Sequence, residues 1–166
     1  MTDPAALFAR DFDSLTGGDR FVTPGRPVTE ADVMAFAALT GDRHPQHTDA
    51  RWAEHGLFGE RIAHGMLVLS FAIGLVSLDP ERVVALRRVR DAVFKQPVRL
   101  GQTIHVDGRV DELTPIDGDL GLVLSTWKVV NDRGETAVRA RVEVLWRRDQ
   151  AITPVEGSYV EGVVPL

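Results

Sequence analysis

The fold is decided by an apolar run, GMLVLSFAIGLVSL, which occupies residues 65–78. Hydrophobic residues lie on every face of this run, a pattern typical of a helix surrounded by protein rather than one on the surface. We expect the helix to begin at Gly65 and to end at Asp79-Pro80, because the residue before a proline is pushed out of the helical region. The run is far shorter than the roughly 20 apolar residues of a membrane span, so it predicts a buried core helix.

The chain after this run alternates between apolar and polar residues, as half-buried strands do. The alternation is clear over 104–111 and 138–147. A further strand is predicted over 120–130, joined to the last one by the turn at residues 131–134. Residues 83–94 give the least regular strand, because charged residues interrupt it. Without any βαβ alternation, this order predicts a single α+β domain in which a curved antiparallel sheet wraps a long central helix.

The first half of the chain contains the signals for two shorter helical segments. Thr29 and Asp32 form a capping arrangement for a helix that continues to about Leu39 and ends at Gly41 in a left-handed cap. A short helical turn is expected over residues 49–55, followed by a loop to residue 63. The buried stripe of the first helix is predicted to be Val33, Phe36 and Ala37.

Both ends of the chain are predicted to be peripheral. Residues 1–20 are expected to form a weakly ordered lead-in to a domain spanning 1–148, with Phe8, Phe12 and Leu15 as anchors. Residues 149–166 contain four proline or glycine residues and are expected to be a tail, packed loosely or across a partner.

The amino-acid composition excludes several classes of protein. A chain of 166 residues is long enough for one domain with a real core and too short for two ordinary domains. The absence of cysteine excludes disulfides, thiolate zinc sites and cysteine nucleophiles. A net charge of −5, with arginines scattered along the predicted strands, argues against nucleic acid as a partner. The first 20 residues lack an apolar signal segment, and no run is long enough to span a membrane, so we expect a cytoplasmic protein without a membrane partner.

Chemically capable side chains are concentrated just before the apolar run, in TGDRHPQHTDARWAEHGLFGERIAHGM, residues 40–66, which holds four of the five histidines. Asp42 and His47 are five residues apart in a segment that Pro45 is expected to keep from being helical, so the two side chains can converge from an irregular loop. A carboxylate beside an imidazole is a workable acid/base pair near neutral pH. The simpler reading is an aspartate that caps a turn and a histidine on the surface.

His64 and Gly65 open the apolar helix. The exposed N–H groups there, at the positive end of the helix dipole, can hold a carbonyl oxygen that gains negative charge. Glycine also lets a substrate approach the backbone closely. An acid/base loop followed by such a helix start suits proton abstraction beside a thioester carbonyl, or addition of water to its conjugated alkene.

Two motifs carry a resemblance to a known family: LTGDRHPQHTD at residues 39–49 and IAHGM at residues 62–66. Together they resemble the signature of the MaoC-like (R)-specific enoyl-CoA hydratases and dehydratases. The resemblance covers roughly residues 12–147, including GGDRF at 17–21 and FKQPV at 94–98. It implies a hot-dog fold, with a long helix wrapped by an antiparallel sheet, and a homodimer or higher homo-oligomer formed through edge strands.

The resemblance also implies roles for particular residues. Asp42 and His47 activate the water that adds to C3 of a trans-2-enoyl thioester, and the Gly65 N–H polarises the thioester carbonyl. The same groups, run backwards, dehydrate a 3-hydroxyacyl thioester carried by coenzyme A or by a carrier protein. No cofactor and no metal ion are expected. Contacts with the substrate are expected from His44, His64, Met66 and Ser70.

The chain departs from the family pattern at two positions, because the family usually has asparagine where His44 stands and an aliphatic residue where Gln46 stands. These departures leave room for a non-catalytic acyl-thioester binder or for the partner subunit of a heterodimer. A hot-dog thioesterase is a further alternative. His64 can instead be a structural residue that hydrogen-bonds a loop, and Ser70 a small packing residue. A metal site built from His44, His47 and His64 is also open by residue type.

Overall fold

The computed structural model describes residues 3–148, so the predicted tail at 149–166 lies outside the described residues. The helices in this part of the chain are α1 (Pro4–Phe8), α2 (Glu30–Thr40), α3 (Pro45–Thr48), α4 (Ala50–Glu54) and α5 (Gly65–Leu75). The strands are β1 (Arg20–Val22), β2 (Arg26–Pro27), β3 (Val83–Phe94), β4 (Thr103–Pro115), β5 (Leu120–Asn131) and β6 (Thr136–Arg147). None of the helices is long and apolar enough to cross a membrane.

The strands form one antiparallel sheet in the order β1-β4-β5-β6-β3, with β2 paired to β4. Helix α5 contacts β4, β5 and β6, and the large side chains of Phe21, Trp127 and Trp146 are fully buried in the shared core. The α+β class predicted from the order of helical and alternating segments is therefore confirmed.

Helix α2 forms where its capping residues predict it. Thr29 Oγ1 accepts from the Asp32 N–H at 3.1 Å, and the Asp32 carboxylate accepts from the Thr29 N–H at 2.8 Å. Gly41 ends the helix with a φ of 80°, in the left-handed region that favours glycine. Val33 and Ala37 are buried and Phe36 packs partly against the core, as predicted.

The prediction of a weakly ordered lead-in is wrong for residues 3–20, although its predicted anchors Phe8, Phe12 and Leu15 are buried. Residues 4–8 form α1, and residues 12–14 form a 3-10 turn that Asp11 caps. The Phe8 ring lies 5.1 Å from the ring of Trp146, whose indole N–H donates to the carbonyl of Arg10 at 2.9 Å. The segment folds because it covers the end of the core with apolar side chains, namely Leu7, Phe8, Phe12 and Leu15.

Helix α5 differs from its prediction in length. It ends at Leu75 rather than at Asp79, because Val76 leaves the helix with a ψ of 44° and its side chain is fully buried. The segment after Val76 instead forms a turn, in which the Val83 N–H donates to the Asp79 carbonyl at 2.7 Å and β3 begins.

The expectation that α5 is surrounded by protein is also wrong for a single chain. Met66, Ser70 and Gly74, one helical turn apart, are exposed along one side of the helix. Strand β3, at the edge of the sheet, lies with apolar side chains uncovered, and its pairing with β6 shifts register three times. Exposed apolar side chains of this region are Met66, Val84, Val89, Val93 and Phe94.

The outer face of the sheet, which points away from α5, is polar and rich in arginine. Glu143 is buried there, with its carboxylate bound by the guanidinium groups of Arg87 and Arg90. Lys128 is exposed on the same face, directly opposite Arg139 on β6. These charged side chains lie on the outer face of the sheet and outside the core.

Candidate active site

The residues between α2 and α5 bring together three side chains that the sequence singled out. Asp42 follows the left-handed Gly41, His47 lies in α3, and His64 immediately precedes α5. One ligand atom of each of these residues lies within 4.8 Å of those of the other two. Asp42 and His47 therefore converge as the motif predicts, and His64 lies beside them.

The prediction that Pro45 keeps this segment from being helical is wrong. Pro45 is the first residue of the single turn of α3, where a missing N–H leaves no helical hydrogen bond unmade. His47 therefore lies on a helical turn, which gives its ring a defined direction.

His44 caps α3. Its Nδ1 atom accepts from the Gln46 N–H at 3.1 Å, the bond that an N-cap side chain provides. Its ring also stands edge-on to Trp52, with centroids 5.5 Å apart, and Trp52 is 47% exposed rather than part of the core. Asparagine, the residue that the family usually has here, is also a good cap, so the departure at His44 keeps the local structure.

Gln46 ties α3 to the loop before α5. Its side-chain N–H₂ donates to the Glu60 carbonyl at 3.0 Å, and its main-chain carbonyl accepts from the Ile62 N–H at 3.3 Å. The side chain is buried, and the bond to Glu60 gives its amide nitrogen a partner in a place where an aliphatic residue would only pack. The second departure from the family pattern thus holds the loop on which Ile62 lies.

Ile62 in turn orients His47. The carbonyl of Ile62 can only accept, so the 2.7 Å contact makes His47 Nδ1 the donor and leaves Nε2 with its lone pair. Burial lowers the pKa of His47 below its ordinary value of 6.5, and the neighbouring rings of His64 and His44 act in the same direction. The Ile62 hydrogen bond and the charge of Asp42 oppose this change without reversing it. At neutral pH the ring is therefore an uncharged base.

His64 is buried, with 2% of its surface exposed. Its Nε2–H donates to the main-chain carbonyl of Asp42 at 2.9 Å. Its ring stacks on that of His47, with centroids 3.9 Å apart, and meets Phe36 on α2 at 5.1 Å. Among the described residues, its Nδ1 atom has no hydrogen-bond partner.

The first N–H groups of α5 are not capped by a side chain. His64 occupies the N-cap position, but its side chain makes no capping hydrogen bond, so no side chain occupies the first N–H groups of the helix. A Cβ atom at Gly65 would lie 2.7 Å from the Phe94 ring, which explains why glycine stands there. Glycine thus allows Phe94 to pack directly on the helix start.

These groups line one cavity of about 510 Å³. Asp42, His47, His64, Gly65 and Met66 border it, whereas His44 and Ser70 are not part of its wall, and the Ser70 hydroxyl donates to the Met66 carbonyl at 2.8 Å. Lys95 stands exposed at its edge. Wall residues that the sequence did not predict as part of a site include Phe36, Phe58, Val68, Phe94, Gln96 and Val138. The FKQPV motif was the one signal for some of them.

Asp42, His47 and His64 each offer one ligand atom within 4.8 Å of the other two, so they are a candidate metal set. The stacking of His47 on His64, with ring planes inclined by 30°, makes it hard for the in-plane lone pairs of both rings to meet at one ion. The sequence left open a metal site built from His44, His47 and His64. In the structure His44 lies outside the cluster, and Asp42 is its third member.

A helix packed on an antiparallel sheet, with this cavity at the helix start, places the chain in the hot-dog class. A Mycobacterium tuberculosis protein with a double hot-dog fold superposes on 96% of this chain and 52% of its own length, with a TM-score of 0.75 at 22% identity. The chain belongs to the MaoC-like domain family, which it matches over residues 11–131.

Individual relatives agree with this assignment. The (R)-specific enoyl-CoA hydratase of Aeromonas caviae is 30% identical over 114 residues, which are 69% of this chain and 83% of that enzyme. The structure of a monoamine oxidase regulatory protein from Archaeoglobus fulgidus superposes with a TM-score of 0.80 at 37% identity, over 85% of this chain and 96% of that one. The chain spans only 30%, 57% and 62% of the length of three further curated relatives.

The capping role of His44 predicts a graded effect on stability. His44→Ala removes both the cap and the contact with Trp52, and we expect the free energy of unfolding to fall by about 1 kcal/mol. His44→Asn restores a capping oxygen and should lose less. Urea denaturation of the two variants measures the difference, and equal losses would contradict the capping role.

Proposed function

We propose that this protein is a hydro-lyase that adds water to trans-2-enoyl thioesters and, in reverse, removes water from 3-hydroxyacyl thioesters. One observation carries the proposal: a carboxylate, a neutral imidazole with an available Nε2 and an uncapped helix start border the same cavity. Relatives named 3-hydroxybutyryl-CoA dehydratase and (R)-specific enoyl-CoA hydratase support a thioester substrate.

In the proposed mechanism, the water lies between Asp42 and His47. The Asp42 carboxylate accepts a hydrogen bond from this water and orients it. His47 Nε2 takes the other proton of the water as the water oxygen attacks C3. The electrons of the C2=C3 bond move toward the thioester carbonyl, whose oxygen gains negative charge and is held by the Gly65 N–H. The imidazolium formed on His47 is stabilised by the neighbouring carboxylate.

In the second half of the proposed reaction, the proton on His47 is transferred to the substrate. His47 gives it to C2 of the enolate, the carbonyl reforms, and the enzyme regains its starting state with one water added across the double bond. Dehydration follows the same path in reverse, so both directions use the same groups. The scheme uses no cofactor and no metal ion.

The acyl group is proposed to lie along the apolar wall of the cavity, with Met66 and the buried His64 beside it. Val68 and Val138 are buried there, whereas Met66, Phe94 and Lys95 are exposed at the edge. The reactive thioester end therefore meets Asp42 and His47 while the carrier, coenzyme A or a carrier protein, remains outside. His44 acts through the position of α3 in this scheme, and the Ser70 hydroxyl is bound to the Met66 carbonyl outside the cavity wall.

A second copy of this chain is proposed to cover the open side of α5 and the edge strand β3. Unpaired edges and exposed apolar side chains of this kind need a partner or a cover. Met66 is 56% exposed and Phe94 is 49% exposed, and both border the cavity. Pairing there would complete one wall of the active site, as the family resemblance implies.

Isosteric replacement of the acid/base pair should abolish turnover. With trans-2-butenoyl-CoA, we expect Asp42→Asn and His47→Gln to lower kcat by at least about 10²-fold, the usual contribution of a general acid or base. Loss of the enoyl-thioester absorbance measures hydration, and thiol release measures hydrolysis in parallel.

Asp49→Asn and His55→Gln are matched controls for these variants. Asp49 caps α4 and His55 contacts the Arg51 carbonyl, and neither borders the cavity. Full activity in both active-site variants would overturn the assignment. Thiol release without hydration in the unchanged protein would indicate a thioesterase instead.

The pH dependence of hydration should report the lowered pKa of His47. The folded protein holds that pKa below 6.5, so the ring is neutral at pH 7. We expect the acid limb of kcat/KM to be centred below pH 6.5, because protonation of His47 removes the base. An acid limb centred above 6.5 would contradict a buried neutral base at position 47.

The proposed dimer has a direct test in solution. Light scattering should give about twice the chain mass of 18.2 kDa for the unchanged protein, and Val89→Asp, on the edge strand, should lower it because a carboxylate would be buried between the copies. Leu57→Ser is the control, since Leu57 is 91% exposed in the loop before α5. A monomer at all concentrations would rule out the proposed dimer.

A further inference from the structure

His64 contacts each part of the proposed active site without being one of its reacting groups. We propose that His64 is a positioning residue, which fixes the Asp42 loop and the His47 ring relative to the first turn of α5. The role rests on the proposed function, because the positions it sets matter only if Asp42, His47 and Gly65 act on one substrate. It goes beyond the substrate contact expected from the sequence.

The hydrogen bond from His64 to Asp42 is the tether of the acid loop. Among the described residues, the other hydrogen bonds of Asp42 reach no further than two positions along the chain, to Thr40 Oγ1 and to the His44 N–H. The bond to His64 Nε2–H, at 2.9 Å, joins residues 22 positions apart. Asp42 itself is exposed, and this bond to its main-chain carbonyl ties the acid loop to the residue that precedes α5.

The side chain of His64 does not have the usual task of a residue at its position. An N-cap side chain normally accepts from the N–H groups of its own helix, and the His64 side chain makes no such bond. It is directed to another loop instead. This leaves the helix N–H groups available and commits the imidazole N–H to the Asp42 carbonyl.

The ring of His64 also supports His47. It lies between Phe36 and His47, with centroid distances of 5.1 Å and 3.9 Å. The inclination to the His47 ring is 30°, so the two imidazoles are stacked over their faces. Because His64 is 2% exposed, it has little room to move, and the His47 ring is held from one side by a fixed surface.

Two substitutions separate the effect of the hydrogen bond to Asp42 from the effect of the ring contact with His47. His64→Phe keeps a ring beside His47 but removes the donor to Asp42, whereas His64→Gln keeps an N–H₂ group near the Nε2 position but removes the ring. We expect kcat of His64→Phe to fall by about 10²-fold, the effect of displacing a reacting group by about 1 Å, with little change in KM. His64→Gln should keep most of the activity that His64→Phe loses.

The pH profile adds a readout that lost packing alone would not move. The groups that face His47 are Asp42, His44 and His64, together with the Ile62 carbonyl. Removing the imidazole of His64 takes away one group that lowers the pKa of His47. The acid limb of kcat/KM should therefore move up, toward 6.5, in both variants. His55→Phe, which replaces an exposed histidine, should change neither kcat nor the limb.

Unchanged kcat in His64→Phe would overturn the proposal, and so would equal losses in both variants with an unmoved acid limb. If the unchanged protein hydrates no thioester, the proposed function has failed, and NMR tests the tether without turnover. The amide resonance of Asp42 should then shift in His64→Phe and stay near its original position in His64→Gln. No shift in His64→Phe would show that the tether does not hold the loop.

Discussion

The packing of α5 against the sheet is the interaction on which the rest of the structure depends. Apolar side chains anchor the helix along its length, including Leu67, Val68 and Ala72. Its first turn is different, because glycine and an uncapped backbone are found where a stable isolated helix would have a polar side chain. Burial of the other turns of α5 offsets the free-energy cost of leaving its first turn uncapped. The cavity forms around this first turn.

The site is built from short pieces that would not hold their shape alone. Helices α3 and α4 contain four and five residues, fewer than an isolated helix needs in water. Hydrogen bonds between loops take over: Gln46 binds Glu60, His47 binds Ile62, and the Ala63 N–H donates to the Val98 carbonyl at 2.8 Å. Asp42, His47 and His64 therefore lie on a network of hydrogen bonds that extends to the segment between β3 and β4.

Features with a local cause could be predicted from the sequence, and features that need distant partners could not. Thr29, Asp32 and Gly41 define α2 by contacts within a few residues, and the pairing of Asp42 with His47 follows from one short motif. By contrast, the order in the lead-in depends on Trp146, near the far end of the described chain. Nothing in the local pattern around Phe8 indicates that contact.

The same distinction holds within the site. That His64 begins α5 follows from its place before Gly65, but its hydrogen bond to Asp42 depends on how two separate loops meet. The cap made by His44 needs a particular ring orientation, which a comparison of residue types with the family pattern cannot supply. Phe94 belongs to the FKQPV motif, but it enters the cavity wall because β3 ends beside the helix start, a contact that the motif does not indicate.

Lysine is rare in this chain, and its distribution has a practical consequence. Lys95 and Lys128 are the two lysines of the sequence. The first stands at the edge of the cavity, and the second is exposed on the opposite face of the sheet. An amine-selective reagent thus meets one side chain that a molecule in the cavity can shield and one that it cannot. The ratio of labelling at the two positions is a built-in gauge of cavity occupancy, whatever molecule fills it.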